Sequence, residues 1–344
     1  MHNFSHIDAF YQVVRYLDAL NASVECPEKN KIRGAVKYRG SVKLHGANAA
    51  VACSATELVA QSRSRVITPS DDNYGFAAFV AEAANAEAIR QIETSVRQGH
   101  GVSPEATVVL YGEWVGPGLQ KGVAINQLAH RQWVLFAIKV VLGEESRYLD
   151  ALPMFGHSNA SAGIHSISDG PLFEIEVDFG LGASKQAALE EADRITRDVD
   201  ARCPWAARFG VEGPGEGVVW VPVGDHWGNP DLFFKTKGEK HKNTRVRGDK
   251  PQLAPEVLEG IEAFVAFAVT DNRLQQGLEA VAEMGHALDM RSMIHFLKWI
   301  GQDVKRECDA ELETNQLEWK DVSKVVTQRA RDFFCKEIAR LAMQ

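Results

Sequence analysis

The sequence predicts an α+β fold in two parts: an α+β body over residues 1–245 and an all-helical domain over residues 254–344. Runs of β-branched residues concentrate in the first part, whereas residues 254–342 show amphipathic helical spacing and almost no β signal. The stretch 243–253 between them is polar and contains Gly248 and Pro251, as is typical of a domain boundary. A length of 344 residues also favours two domains.

The elements follow from the spacing of the apolar residues. Residues 6–20 predict a helix, 35–67 predict a hairpin or meander, and the alanine-rich stretch 76–98 predicts a second helix. The segments ATVVLYGEWVG and RQWVLFAIKVVLG predict two buried strands separated by a Gly-Pro-Gly turn. The remaining predicted elements are a helix over 183–199, strands in EGVVWVPVG and DLFFKTKG, and helices over 254–268, 273–285, 290–300 and 319–341.

The composition excludes several classes of protein. A hydrophobic content of 45% and a charged content of 24% are ordinary for a soluble globular protein, and no apolar run approaches the length of a membrane span. The opening residues, MHNFSHIDAFYQVVRYLDAL, lack the pattern of a signal peptide. The five cysteines are scattered without a C-x-x-C pair, which argues against a disulfide framework or a zinc site. These features predict a cytoplasmic protein.

The charge is unevenly distributed along the chain. A net charge of −8 argues against a generally polyanion-binding protein. Residues 235–250, KTKGEKHKNTRVRGDK, nevertheless hold seven lysine and arginine residues against two acidic residues. We call this segment the basic strip, and a strip of this kind can bind nucleic acid on an otherwise acidic protein.

Residues 38–51, YRGSVKLHGANAAV, place Lys43 in the middle of a strand-like stretch, where an apolar side chain is expected. A lysine amine attacks electrophiles only when it is neutral, and about one in a thousand is neutral at physiological pH. Lys235 and Lys237 alternate onto one face of a predicted strand. If that strand lies beside Lys43, their positive charges favour the neutral amine and attract phosphate groups. The three lysines therefore predict a nucleophile with an electrostatic clamp.

Lys43, His45, Gly46 and Asn48 form the pattern K-x-H-G-x-N, a variant of the K-x-D-G nucleotidyltransferase signature. Five further motifs follow: AQSRSRVITPSDDNYGF with Arg63, LYGEWVGPGLQKGV with Glu113, WVLFAIKV with Phe136, GEGVVWVP with Glu216, and FFKTKG with Lys235 and Lys237. In this order the motifs resemble those of the RNA ligase 2 family, the nick-sealing RNA ligases of phages and of mitochondrial RNA editing. The resemblance covers essentially the whole chain.

The resemblance implies a nucleotidyltransferase domain of antiparallel sheets with flanking helices over residues 1–245, and a helical RNA-engaging domain over 254–344. It implies an ATP-dependent RNA ligase that joins 3′-OH and 5′-phosphate ends, at nicks in duplexes, through a lysyl-AMP and an RNA-adenylate. The implied co-substrate is ATP, the implied metal is Mg²⁺ or Mn²⁺, and the implied partner is nicked duplex RNA bound by a monomer.

By the same resemblance, Lys43 is the nucleophile that carries AMP, and Glu216 holds the metal ion. Glu113 binds the ribose, Phe136 stacks on adenine, and Arg63 contacts phosphate. The other implied nucleotide-binding residues are Val42, Leu44, His45, Asn48, Lys235 and Lys237.

Four positions depart from the family's pattern and bear on RNA engagement and end specificity rather than on the reaction type: Ala47, Ser62, Asn73 and Ala137. Two other functions stay open. A DNA ligase or capping nucleotidyltransferase shares the lysine chemistry, but its appended OB-fold would read as five short strands, and residues after 253 predict helices. A non-catalytic nucleotide- or RNA-binding protein is the second alternative.

Overall fold

The computed structural model describes residues 1–23, 26–150, 158–238, 257–315 and 317–341. The chain divides into two compact units, residues 1–238 and residues 239–344. The predicted boundary over 243–253 lies outside the described residues, as does the basic strip from residue 239 onward. The α+β fold class is confirmed, because the first unit contains two mainly antiparallel sheets with helices and the described part of the second unit is helical.

The described residues of the first unit form eleven strands. The strands are β1 (Asp8–Ala9), β2 (Ala35–Lys43), β3 (Ala47–Cys53), β4 (Leu58–Ser62), β5 (Thr107–Val115), β6 (Gln132–Leu142), β7 (Glu145–Leu149), β8 (Ile164–Ser166), β9 (Leu172–Asp178), β10 (Gly217–Pro222) and β11 (Phe234–Lys237).

The α-helices of the first unit are α1 (Phe10–Ala22), α2 (Phe76–Ala81), α3 (Ala83–His100), α4 (Gly182–Ala201) and α5 (Pro204–Ala207). Those of the second unit are α6 (Val257–Ala268), α7 (Asp271–Glu283), α8 (Met293–Glu307), α9 (Asp309–Thr314) and α10 (Trp319–Leu341). Three helices differ from the predictions. The helix expected over 290–300 is α8, which extends to Glu307. The other two lie in the first unit. The first begins at Phe10 rather than near residue 6, because Asp8 and Ala9 pair with β11. The helix predicted over 76–98 is interrupted at Glu82, whose backbone is extended.

The first sheet has the strand order β1-β11-β10-β2-β9, and the second has the order β4-β3-β5-β6-β7 with β8 beside β6. Neighbouring strands are antiparallel except for the pairs β1–β11 and β6–β8. The hairpin predicted within residues 35–67 is present as β3 and β4, which pair antiparallel, but β2 is not part of it because β2 belongs to the first sheet. Lys43 is therefore the last residue of β2 and not the middle of a strand.

Each sheet buries an apolar face against helices. The first sheet packs on α1 and α4, and α4 presents Ala188, Ala192, Ile195 and Val199 at helical spacing. One face of the second sheet packs on α2 and α3. Its other face carries a smaller cluster around Ala50, Ala52, Val109 and Tyr111. The core of the second unit is formed by residues of its own helices. None of the described helices has the length and apolar character needed to cross a membrane.

Candidate active site

Lys43 lies where the chain leaves the first sheet for the second. The register of β10 pairs Gly217 with Lys43 on one side and with Lys237 on the other. The strand that carries Lys235 and Lys237 is thus separated from β2 by β10, and does not lie directly beside Lys43 as the sequence suggested. A Cβ on Gly217 would lie 2.1 Å from the backbone oxygen of Thr236, so glycine allows this close strand approach.

The carboxylate of Glu216, the residue before Gly217, brings three predicted site residues together. Lys43 Nζ lies 2.6 Å from Glu216 Oε2, His45 Nδ1 lies 3.2 Å from the same oxygen, and Lys237 Nζ lies 3.4 Å from Oε1. Glu216 is only 2% exposed. Burial acts to raise the pKa of Glu216, but the charges of Lys43, Lys237 and His45 outweigh it and hold the pKa well below its usual range. The site therefore contains a buried carboxylate in contact with two lysines and a histidine.

Glu113 lies next to this cluster and fixes the loop after Lys43. Its Oε1 accepts a hydrogen bond of 3.0 Å from the backbone N–H of Gly46, and its register partner on β3 is Asn48. Burial raises the pKa of Glu113 to about 7, against the lowering effects of Lys43 and the Gly46 N–H. The carboxyl is therefore poised to exchange its proton near neutral pH.

Both backbone polar groups of Gly46 are hydrogen-bonded to side chains. Besides the bond to Glu113, its carbonyl accepts a hydrogen bond of 3.2 Å from the buried side-chain amide of Gln120. A Cβ on Gly46 would lie 2.2 Å from the backbone oxygen of Trp114, so no other residue fits without displacing β5. The glycine of the K-x-H-G motif thus lets the loop from β2 to β3 pass against the second sheet.

Phe136 lies at a β-bulge in β6. The register shifts between Tyr111 and Gly112 of β5, which pair with Ala137 and Leu135, so Phe136 has no partner in the ladder. Phe136 and Ala137 both pack against the cluster that contains Tyr111 on one face of the second sheet, although neighbouring strand residues ordinarily face opposite sides. The bulge therefore turns the Phe136 ring onto the face that also carries Glu113.

The other predicted residues occupy distinct positions. The side chains of Val42 and Leu44 are buried in the core of the first sheet, which leaves their backbone groups for any contact with a nucleotide. Lys235 is half-buried two residues before Lys237, and its register partners are Val219 and Ala9. Arg63 is exposed directly after β4 and lies outside the group of described residues that contact Glu216.

Sequence reasoning gave no role to Gly217, Gln120, Tyr111 or Phe4, all of which contact or shape the site. Gln120 lies in GPGLQK, within the motif that also contains Glu113, so the sequence could have indicated a place for it in the site. Gly217 directly follows Glu216 in the E-G motif. Phe4 belongs to none of the six motifs. Its contact with the ring of Phe136 is visible only in the structure.

The donor set suits a hard divalent cation that shares a substrate's phosphates. No group of three or more His, Cys, Asp or Glu side chains able to hold a metal ion occurs among the residues with described positions. Glu216 and Glu113 interact electrostatically within the site. Mg²⁺ commonly binds through one or two carboxylates, water and substrate phosphates rather than in a cage made only of protein groups. These residues therefore fit such an ion.

Comparison with known proteins identifies the family. A family model described as RNA ligase matches residues 37–237, which contain every predicted site residue. This chain belongs to the RNA ligase family, as its motifs led us to expect. No curated protein matches the chain significantly.

Solved structures similar to this chain include forms of the Naegleria gruberi RNA ligase. A lysine mutant with AMP and Mn has a TM-score of 0.41 and 14% identity, with 70% of this chain and 56% of that chain covered. A second mutant, with ATP and Mn, also has a TM-score of 0.41 and 14% identity, with 69% of this chain and 56% of that chain covered. The form with PPi has a TM-score of 0.40 and 14% identity, with 70% of this chain and 56% of that chain covered. This chain thus spans 56% of the length of those proteins.

Proposed function

We propose that this chain is an ATP-dependent RNA ligase that joins RNA 3′-OH and 5′-phosphate ends through a lysyl-AMP and an RNA-adenylate intermediate. The observation that carries the proposal is the cluster of Lys43, His45 and Lys237 around the buried Glu216 carboxylate. It lies within the segment that matches the RNA ligase family and next to Glu113. A nucleophilic amine, further cations and carboxylates in one place are the groups that phosphoryl-type transfer to lysine requires.

In the first step, the Lys43 amine attacks the α-phosphate of ATP. A P–N bond forms, the P–O bond to the β-phosphate breaks, and pyrophosphate leaves. Attack needs the neutral amine, and Lys237 Nζ lies on the same Glu216 carboxylate as Lys43, so a second positive charge stands beside the nucleophile where the phosphates would bind. Lys235, Lys237 and Arg63 offset the negative charge that builds on the phosphates.

The nucleoside is bound by the neighbouring groups on the second sheet. Glu113 and Asn48 pair across β5 and β3, and both side chains can hydrogen-bond the ribose hydroxyls. Phe136 stacks on adenine, and the backbone at Val42 and Leu44 borders the base. His45 orients the phosphates. Glu216 holds Mg²⁺ or Mn²⁺, which supplies charge neutralisation of the phosphates when bound.

In the second step, the 5′-phosphate of the RNA attacks the lysyl-AMP, so the P–N bond breaks and a P–O–P linkage forms. In the third, the RNA 3′-OH attacks the 5′-phosphorus of that linkage, a phosphodiester forms, and AMP leaves. The same cations face negative charge in all three steps, which explains why one cluster serves each transfer.

Transfer of radiolabel from α-labelled ATP to the protein in the presence of Mg²⁺ tests the proposal. We expect wild type to be labelled and Lys43→Ala to lose the label completely. Lys37→Ala is the matched control, because Lys37 lies on the same strand with its side chain 74% exposed, and it should retain full labelling. Labelled Lys43→Ala protein would show that another residue is the nucleophile.

We further propose that the natural substrate is a nicked duplex, that the enzyme acts as a monomer, and that it works in the cytoplasm, where its free cysteines stay reduced. The basic strip supplies positive charge for the duplex, so sealing should weaken steeply with added salt. Nicked duplexes with RNA or DNA on each side of the break test the substrate class. Sealing of all-DNA nicks as fast as RNA nicks, or sealing indifferent to salt, would contradict these points.

A further inference from the structure

Residues 1–9 contact both sheets, and none of the six motifs includes them. We infer that Phe4 is a positioning residue for Phe136 and thereby sets how firmly the adenine base is held. This inference rests on the proposed function, because it concerns the base that Phe136 would stack on.

Phe4 lies inside a group of aromatic rings drawn from both sheets. Its ring meets Phe136 edge to face, with centroids 5.0 Å apart and an interplanar angle of 76°. It also lies 5.2 Å from the ring of Tyr111, 5.6 Å from Tyr148 and 6.4 Å from Phe233. Phe233 immediately precedes β11, whereas the other three rings belong to the second sheet. Phe4 therefore bridges the strand that carries Lys235 and Lys237 and the sheet that carries Phe136.

The backbone around Phe4 is fixed on both sides of the ring. On the second sheet, the His2 N–H donates to Gln61 Oε1 at 2.7 Å, Tyr111 Oη donates to the His2 carbonyl at 3.1 Å, and the Ser5 N–H donates to Tyr148 Oη at 3.1 Å. On the first sheet, the Asp8 N–H donates to the Phe233 carbonyl at 3.3 Å, and Asp8–Ala9 pair with β11. These bonds fix the backbone on either side of Phe4, and the neighbouring rings then limit the directions that its side chain can take.

Phe4 lies close to the proposed ribose groups. Tyr111 and Glu113 are two residues apart on β5, so their side chains share one face, about 7 Å apart along the strand. Contact between Phe4 and Tyr111 therefore places the Phe4 ring one row of side chains away from Glu113 and Asn48.

The ring of Phe136 depends on its side-chain neighbours more than an ordinary strand residue does. Its bulge removes it from the ladder between β5 and β6, so the usual strand pairing does not fix its direction. An edge-to-face aromatic contact favours one relative ring orientation and stabilises it modestly. Loss of that contact lets Phe136 turn away from the stacking position, which weakens ATP binding without removing a group that takes part in the chemistry.

The test is the rate of lysyl-AMP formation at varied ATP concentration for wild type, Phe4→Ala, Phe4→Leu and Phe4→Tyr. We expect Phe4→Ala and Phe4→Leu to raise the KM for ATP by about 3- to 10-fold, with the maximal rate within about 2-fold of wild type. Phe4→Tyr keeps the ring and should restore the wild-type KM. Phe173→Ala is the control, because Phe173 is partly buried against the core of the first sheet and should leave the KM unchanged.

The outcomes separate this inference from the proposed function. Unlabelled wild-type protein would overturn the proposed function and the inference with it. Labelled wild type with an unchanged KM in Phe4→Leu would overturn the inference alone, since leucine keeps most of the apolar bulk and removes the aromatic ring. An equal loss in maximal rate and affinity in both Phe4→Ala and Phe4→Leu, not rescued by Phe4→Tyr, would also overturn it, because it indicates a purely structural role.

Discussion

Lys43 and Glu216 form an ion pair of 2.6 Å although 173 positions separate them in the sequence. The pairing of Lys43 with Gly217 across β2 and β10 brings the two side chains to the same place. Lys43 keeps 22% of its side chain exposed, whereas Glu216 keeps 2%. The proposed nucleophile is thus open to a substrate from outside, while its carboxylate partner is enclosed by protein.

Glu216→Gln should lower the free energy of unfolding by about 1–3 kcal/mol at pH 7, because Lys43 and Lys237 lose their shared counter-charge and repel each other. Urea unfolding followed by circular dichroism measures the change. Glu176→Gln is the control, because Glu176 is 54% exposed and its ion pair with Lys37 is long, at 4.0 Å. This change should alter the free energy of unfolding by less than about 0.5 kcal/mol. Equal stabilities for the two variants would show that the cluster adds nothing to folding.

Chelation of divalent cations should abolish labelling of the protein by ATP, and Mg²⁺ or Mn²⁺ should restore it. Glu216→Ala should raise the Mg²⁺ concentration needed for half-maximal labelling at least about 10-fold, because it removes a proposed ligand. Glu176→Ala should keep the wild-type requirement. Labelling of Glu216→Ala at wild-type Mg²⁺ concentrations would assign the metal ion to other groups.

Gly46→Ala should destabilise the protein by more than about 2 kcal/mol and abolish labelling. Its Cβ would lie 2.2 Å from the Trp114 carbonyl oxygen, so β5 or the loop that follows Lys43 must move. Gly182→Ala is the matched control, because a Cβ there meets nothing within 4 Å and residue 182 begins α4. That change should be neutral or slightly stabilising, since alanine favours helix. Urea unfolding of both variants gives the comparison.

Glu113 should make stability fall as pH rises from about 4.5 to about 7. Its pKa in the folded state is about 7, above the ordinary value of 4.5, so between these values the folded protein binds a proton that the unfolded chain releases. Glu113→Gln keeps an oxygen for the Gly46 N–H but does not titrate. The stability of the variant relative to wild type should therefore increase through this window by up to about 3 kcal/mol and level off above pH 7. A difference that does not vary with pH would contradict the assignment.

Arg273 should contribute strongly to the free energy of unfolding of the helical unit. It is 0% exposed and donates to Asp303 at 2.9 Å and to Cys308 Sγ at 3.2 Å. Arg273→Ala leaves a buried carboxylate short of a partner, so it should cost about 3 kcal/mol or more. Arg340→Ala removes an i,i+3 pair with Glu337 in which the arginine side chain is 54% exposed, so it should cost less than about 1 kcal/mol. Equal urea midpoints for the helical unit in both variants would contradict this prediction.

The sequence alone indicated the family and the helical character of the second unit. The order of the motifs indicated the RNA ligase family, which the family model confirms. Helical spacing after residue 254 indicated a helical region, and the described helices from Val257 onward agree with it. Helical periodicity and each single motif can be read from a sequence because each involves residues that are close along the chain.

Only the tertiary structure decided how those residues meet. It placed β2 and β3 in different sheets, inserted β10 between Lys43 and Lys237, turned Phe136 with a bulge and set Phe4 against its ring. Each of these features depends on hydrogen bonds and packing between segments far apart in the sequence, and side-chain periodicity does not encode which distant strands become neighbours. The sequence therefore indicated the charged groups of the candidate site, and the pairing of distant strands determined their arrangement.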